Sequence, residues 1–277
     1  MLTDQERLQL CKGLKFDEKA VAEINRIRSS GPSRRVRSAR GNVSGGYPSA
    51  KMLFVAQFES HKNELPYIHQ IDHDDNVLEF YDQPPFFKLS YILQQGERAG
   101  RRVAFNYTPD FFLIKKDAVG WVECKMEEEL VRLSEEHPER YQRGEDGQWH
   151  CPPGEEYASQ FGFFFQVVSS ASISQIYSRN IVYLADYLKD ESCSPNQEAA
   201  AQVLDLVAKE PGITIEELRQ RADKASSDDI NILIANEQLY FNLYTAPLAD
   251  AKHARLYPDK DTAEAYSVML EMPFYPP

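Results

Sequence analysis

With 277 residues, 42% of them apolar and 12% aromatic, the chain has material for one full hydrophobic core and a smaller second one, which excludes a disordered protein. Its four cysteines (Cys11, Cys124, Cys151, Cys193) show no CxxC spacing, which excludes a disulfide framework and a zinc ribbon as first readings. A net charge of −12 speaks against nucleic acid only if the charge is even, and it is not. No run of about 18 apolar residues and no signal-peptide pattern occurs, so a soluble, cytoplasmic protein without a membrane partner is expected.

Residues 1 to 25 read as helical, with Val21, Ile24 and Ile27 on one stripe. A basic stretch overlaps the end of that region: from Arg26 to Arg40 there are six arginines and no acid. Ser and Gly are interleaved there, and residues 29 to 50 read as an extended arm. Arg34, Arg35, Arg37 and Arg40 are the candidate phosphate contacts of this arm, because salt-dependent backbone binding is local and indifferent to total charge. Residues 1–50 are therefore set apart as an N-terminal helix and basic arm.

From Val55 to His73 a strand end leads into a helix. Pro66 is tolerated only in the first helical turn, so the helix is predicted to start near Asn63 as N-cap, with Glu64 in the first turn. Glu59, five residues earlier, competes with Glu64, and the two do not share a helix face. Five strand patterns follow: VLEFYDQ, FFKLSYIL, RRVAFNY, FFLIKK and VGWVECK. The helix formers MEEELVRLSEEH come next. A polar, Pro- and Gly-containing insertion over 138–160 separates them from the buried-strand pattern GFFFQVVSS and the amphipathic ISQIYSRNIVYLADYLKD. That order predicts an α/β sheet with a mainly antiparallel early half.

Beyond Lys189 the composition shifts, and ESCSPNQ reads as a linker. Three short helical patterns and the strand-like LYFNLYT then suggest a winged helix over 191–277. Residues 196 to 277 hold 14 acids against 7 lysines and arginines. A winged helix that reads DNA presents basic residues at the start of its third helix, whereas this one begins SSDDIN, with Asp228 and Asp229 placed to repel phosphate. The tail is therefore expected to bind protein.

The most specific pattern is Pro109-Asp110 followed by Glu123-Cys124-Lys125. Side chains two apart in a strand share a face, so Glu123 and Lys125 point one way and Cys124 the other. A hairpin turn centred near Asp117-Ala118 would set Asp110 across from Lys125 and Phe112 across from Glu123. Two carboxylates and an ammonium at one end of a hairpin suit metal-dependent phosphodiester hydrolysis. Asp110, Glu64 and Glu123 supply the hard oxygens that Mg²⁺ or Mn²⁺ prefers, for one or two ions, and Lys125 would orient water or stabilise the developing phosphorane charge.

These residues resemble the PD-(D/E)xK nuclease superfamily, and the wider pattern is narrower in its likeness. FES, Glu64, IDHDDNVLEFYDQPP, YTPDFFL and WVECK together resemble the TnsA endonuclease family of heteromeric, Tn7-like bacterial transposases. In that family a helix glutamate lies nineteen residues before the Gln of a "QP" element, and counting back from Gln83 selects Glu64 over Glu59. The resemblance implies a restriction-endonuclease-like mixed sheet flanked by helices over 51–190. It implies Glu64, Asp110 and Lys125 as the catalytic set, Glu123 as a contributor to the metal site, and a bacterial cytoplasmic location. It also implies an enzyme that cuts the strand at the 5′ ends of a transposon in double-stranded DNA, while a DDE transposase handles the 3′ ends and an AAA+ ATPase regulator contacts the C-terminal domain. The rivals are a stand-alone restriction or repair nuclease and a catalytically idle adaptor; the intact acidic and Lys set argues against the last.

Overall fold

The computed structural model describes residues 1–34, 44–189 and 193–271. The chain divides into two compact units, Met1–Ile173 and Ser174–Pro277.

The first unit begins with helices α1 (Asp4–Gly13) and α2 (Glu18–Ser29), which start at side-chain caps from Thr3 and Asp17. Ala20, Ile24 and Ile27 form the buried stripe of α2, and Val21 lies at its half-buried margin. Strands β1 (Gly45–Pro48) and β2 (Val55–Phe58) pair antiparallel, and helix α3 (Glu64–Asp72) follows. Its start is where the Pro66 argument places it. Asn63 makes no side-chain capping bond, so that part of the expectation fails: the first turn is closed by the bond from Tyr67 N–H to the Asn63 carbonyl.

The central sheet has four strands in the order β10–β7–β6–β3, with β3 at Val77–Asp82, β6 at Phe111–Lys115, β7 at Val119–Lys125 and β10 at Phe164–Ser169. Strands β3, β6 and β7 pair antiparallel, and β10 joins parallel to β7. Strands β4 (Phe87–Ile92) and β5 (Arg102–Tyr107) form a separate hairpin. A mixed sheet flanked by helices is the restriction-endonuclease-like arrangement that the motifs imply. Its densest point is Trp121 on β7, fully buried and ringed by Phe87, Phe112, Phe161 and Phe163 at centroid distances of 5.3 to 5.9 Å. Beside it Gly120 is obligatory, because a Cβ there would lie 2.1 Å from the Phe164 carbonyl across the parallel pair.

Helix α4 (Glu127–Glu136) follows β7. The stretch 138–160, which reads as a polar insertion, folds into the unit: a hairpin of β8 (Gln142–Arg143) and β9 (Trp149–His150) leads into helix α5 (Pro152–Ser159). Isolated apolar residues anchor it. Tyr141, Trp149, Cys151 and Ala158 enter the core, and the Tyr157 ring stacks on Phe87 at 3.9 Å. Trp149 Nε1–H donates to Glu127 at 2.9 Å, and the Ser169 hydroxyl bonds to the same carboxylate. Cys151 is thus a core residue, not a ligand.

In the second unit, helix α6 (Gln175–Lys189) contributes Leu184 to the core. Its buried Asn180 donates to the carbonyls of Leu243 and Ala246 and accepts from Leu248 N–H. Those three bonds explain why the unit begins at Ser174 and not at the linker after residue 190, where the sequence reading drew its boundary. Helices α7 (Gln197–Lys209), α8 (Ile215–Arg221) and α9 (Ser227–Ala235) follow, with β11 (Ile213–Thr214) ahead of α8, then β12 (Arg255–Leu256) and α10 (Lys260–Glu271). Strands β11 and β12 pair antiparallel. The strand-like 239–245 run forms no strand: a single bridge joins Tyr240 to Tyr257, because Leu239 and Phe241 are drawn into the helical core. Asp229 has a structural duty that its sequence context hides. It completes the α9 capping box with Ser226 and accepts from Asn196 N–H at 2.8 Å, while Asp228 takes the Tyr187 hydroxyl. Among the described residues no helix is long and apolar enough to cross a membrane.

One network ties the N-terminal helices to the sheet. Glu79 on β3 is fully buried; it receives both arms of Arg28 from α2 at 2.8 and 2.9 Å, the Tyr81 hydroxyl at 2.6 Å and the Leu2 N–H at 2.6 Å. Removing the anion strands a buried guanidinium. Glu79→Ala is therefore expected to cost about 3–5 kcal/mol in urea unfolding of the first unit; a loss below about 1 kcal/mol would contradict this role.

Candidate active site

The β6–β7 hairpin sets the site's geometry. Its turn is tighter than expected: Lys115 N–H bonds to the Ala118 carbonyl, so the loop residues are Lys116 and Asp117. Lys116 N–H is held by the Asn76 carbonyl, and the Asn76 amide donates to Asp117. The centre of the turn thus lies one residue earlier than predicted, which moves every pairing by two. Phe112 faces Trp121, and Phe111 faces Val122. One step further Asp110 meets Glu123, not Lys125, and the expected Phe112–Glu123 pairing does not occur. A shift of two preserves the face, so the three functional side chains remain together.

Asp110 Oδ2 accepts from Cys124 N–H at 2.7 Å, just past the last regular pair. Glu123 is buried and takes the Lys125 ammonium on Oε1 at 2.8 Å, whereas its Oε2 is buried without a hydrogen-bond partner. Glu64, at the first position of α3, is buried and accepts from Glu59 N–H at 2.8 Å. Glu64 therefore reaches the cluster by its side chain. Glu59 serves from the loop through its backbone, and its carboxylate pairs with Arg34 at 3.2 Å.

Asp110 and Glu64 both sense the charge of Glu123. Burial first, then the charges of Glu123 and Glu64, pushes Asp110 well above the ordinary carboxylate range. Burial lifts Glu64 to about 7; the Glu59 N–H bond and Arg34 oppose the rise, and the charges of Glu59 and Glu123 add to it. For Lys125, burial alone would lower the pKa, but Glu123, Tyr141 and Asp110 more than offset it and keep the ammonium charged.

Gln83 closes the site's edge. Fully buried at the end of β3 with φ +45°, it gives its N–H to the Asp110 carbonyl at 2.8 Å and takes Arg34 Nε–H on its side chain at 2.8 Å. Holding a non-glycine residue in that region costs about 1–3 kcal/mol, sustained by these contacts on both sides. The Ser33 N–H and hydroxyl bond to the Gln83 and Pro84 carbonyls, so the arm is docked here at its start. Of the four arm arginines only Arg34 is described, and it is engaged with protein; Arg35, Arg37 and Arg40 lie outside the described residues.

Tyr107, Arg140 and Tyr141 are site neighbours that sequence reading missed. The Tyr107 and Tyr141 hydroxyls are buried beside Glu123, whose charge helps to raise both above the usual tyrosine range after burial itself. The available signal was an aromatic three residues before Asp110, and an Arg-Tyr pair inside the supposed insertion.

Among the described residues no three acidic, His or Cys side chains are already drawn into metal-holding geometry. The donor set nonetheless fits a hard cation. Asp110 and Glu64 each spend one oxygen on a backbone N–H, and Glu123 leaves a buried oxygen unpaired. A cation bound there would offset the burial that chiefly raises the pKa values of Asp110 and Glu64, and the repulsion that adds to it.

Residues 74–170 match the family model described as TnsA-like endonuclease N terminal. Over this stretch the chain is similar to a TnsA-like endonuclease domain. The match takes in Asp110, Glu123 and Lys125 together with Tyr107, Arg140 and Tyr141; Glu64 lies ten residues ahead of it and joins the site through the fold. No curated protein matches the chain.

Glu64 makes the site's pH behaviour testable. Its native pKa of about 7 lies above the ordinary value of 4.5, so the native state binds the proton more tightly and stability falls as pH rises between those values. In chelator-containing buffer, Glu64→Gln should gain up to about 3 kcal/mol over the parent at pH 8 and little at pH 4, measured by urea unfolding. Equal gains at both pH values would place Glu64 in solvent.

Proposed function

We propose that the chain is a metal-dependent DNA endonuclease of a Tn7-like transposition complex, cutting the strand at the 5′ ends of the transposon while a DDE transposase acts at the 3′ ends. The observation that carries this reading is the buried, mutually repelling set Glu64, Asp110 and Glu123 with Lys125 bonded to Glu123, in which all but Glu64 fall within the stretch that matches a TnsA-like endonuclease domain. Glu64, Asp110 and Glu123 would hold one or two Mg²⁺ ions, with Mn²⁺ able to substitute. Such ions polarise a phosphate and lower the pKa of bound water.

The chain's own residues do the rest. Cys124 N–H and Gln83 fix Asp110 from two sides, and Glu59 N–H aims Glu64. Lys125, kept cationic by Glu123, offers positive charge toward the negative charge that develops on phosphorus. The Trp121 cluster, one same-face step inward from Glu123 on β7, packs the hairpin next to the site.

For the second unit we infer a winged-helix-like module that docks protein, a transposase or an AAA+ ATPase. The antiparallel β11–β12 pair, the Tyr240–Tyr257 bridge and three preceding helices support that description. The acidic start of α9 supports a protein partner, since Asp228 and Asp229 offer phosphate no attraction.

Asp110→Asn and Lys125→Met are each expected to lower Mg²⁺-dependent cleavage of an end-labelled transposon-end duplex, with the cognate transposase present, by at least about 10²-fold. Normal cleavage by either folded variant would remove the residue from the site. The arm makes a separate claim. Replacing Arg34, Arg35, Arg37 and Arg40 with Ala should flatten the slope of log affinity against log salt by about 3 units, at roughly 0.9 per lost phosphate contact. An unchanged slope in fluorescence anisotropy would leave the arm without a DNA role.

A further inference from the structure

Arg140 is a cation without an anion. It sits in the turn between α4 and β8, with its backbone N–H on the His137 carbonyl. The guanidinium carbon lies 4.9 Å from the Tyr141 ring centre, 5.1 Å from Phe105 and 5.3 Å from Tyr107. Three rings thus hold its faces, an arrangement worth about 0.5–2 kcal/mol per contact. The edge of the fork is treated differently. Among the described residues Arg140 enters no ion pair, its side chain makes no hydrogen bond, and its Nε–H is buried without a partner. Arg7 and Arg28, the other arginines packed into this unit, both reach anions: Arg7 bonds to Asn25 and Asp4, although its Nε–H too is without a partner, and Arg28 bonds to Glu79.

Burying the Nε–H of a half-buried guanidinium without an acceptor costs free energy that ring contacts alone do not require, since an uncharged side chain would fill the same slot. The place of Arg140 supplies the reason. The Tyr141 ring that carries Arg140 on one contact also carries the Lys125 ammonium, at 6.0 Å. Glu123, the orphan-bearing carboxylate, is among the charges that Arg140 senses. The pre-set fork therefore stands beside the reacting centre, one ring away from Lys125, and a planar fork matches two non-bridging oxygens of a phosphodiester.

We propose that Arg140 is a positioning residue that grips a DNA backbone phosphate beside the scissile one, with Tyr107, Phe105 and Tyr141 holding its guanidinium face. This inference rests on the nuclease reading and extends it. The stretch that reads as an insertion thereby supplies part of the substrate-binding surface.

The test uses the full chain with Asp110→Asn, so that binding is read without cleavage. Duplexes carrying one neutral methylphosphonate at a time are titrated by anisotropy. The parent is expected to lose affinity about 10-fold or more at one position near the cut, and Arg140→Gln to be insensitive to that substitution while showing a salt slope lower by about 1 unit. Arg140→Lys should recover part of the affinity and sensitivity at that phosphate, a rescue that a merely structural role would not give. If Arg140→Gln keeps the parent's full sensitivity at every phosphate, the assignment is overturned while the nuclease reading stands. Failure of the parent to bind any duplex in a salt-dependent manner would overturn both. Should Arg140→Gln unfold, Arg140→Lys decides alone: sensitivity equal to the parent at low affinity supports the grip, and sensitivity absent in a folded Arg140→Lys that binds as tightly as the parent overturns it.

Discussion

Everything at the site depends on one unfavourable contact, Asp110 set against Glu123 across adjacent strands. Like charges placed opposite each other on a sheet repel, and burial makes the repulsion worse. The sheet tolerates it because the next pair inward on the same face, Phe112 against Trp121, belongs to a dense aromatic cluster that fixes the hairpin register whatever the carboxylates prefer. The Cys124 N–H and the Lys125 ammonium then soften the clash without abolishing it. Burial chiefly, and after it the neighbouring carboxylates, raises the proton affinity of Asp110 and Glu64. A site built this way is ready for a cation, which converts repulsion into coordination.

The supporting shell is unusually aromatic and comes from distant parts of the chain. Tyr107 arrives from β5, Phe87 from β4, Tyr141 and Tyr157 from the 138–160 stretch, and Phe163 from just before β10. Aromatic rings do two jobs here. They pack a small sheet tightly, and they present faces to Lys125 and Arg140 in place of further carboxylates. Acids in those places would compete with phosphate for the same cations. Rings hold the cations in position without spending a further carboxylate on them.

The arm and the Gln83-Pro84 element meet in the same economy of groups. Arg34 bridges Gln83 and Glu59, so the first arginine of the arm is placed by contacts at the rim of the acidic cluster. Gln83 in turn holds the Asp110 carbonyl. A residue that reads in sequence as a strand terminus is thus the mechanical link between the arm and Asp110. The strain at its backbone marks it as a position held by function.

Strand periodicity, the Pro66 restriction and the Asp110, Glu123 and Lys125 spacing were enough to obtain the mixed α/β sheet, the start of α3 and the shared face of the hairpin, because these follow from local backbone geometry. The choice of Glu64 came from family spacing, not from physics visible in the residues. Other features lay beyond the sequence because they depend on partners far along the chain. Asn76 shortened the turn and moved the pairing by two; scattered Tyr141, Trp149 and Cys151 turned a polar stretch into a wall of the site; Asn180 bound α6 to the second unit; Asp229 became a cap. Local pattern determines which face a side chain takes. Only tertiary packing decides what it meets there, since burial, orphaned oxygens and an unpaired Arg140 are properties of contacts between segments that the sequence keeps apart.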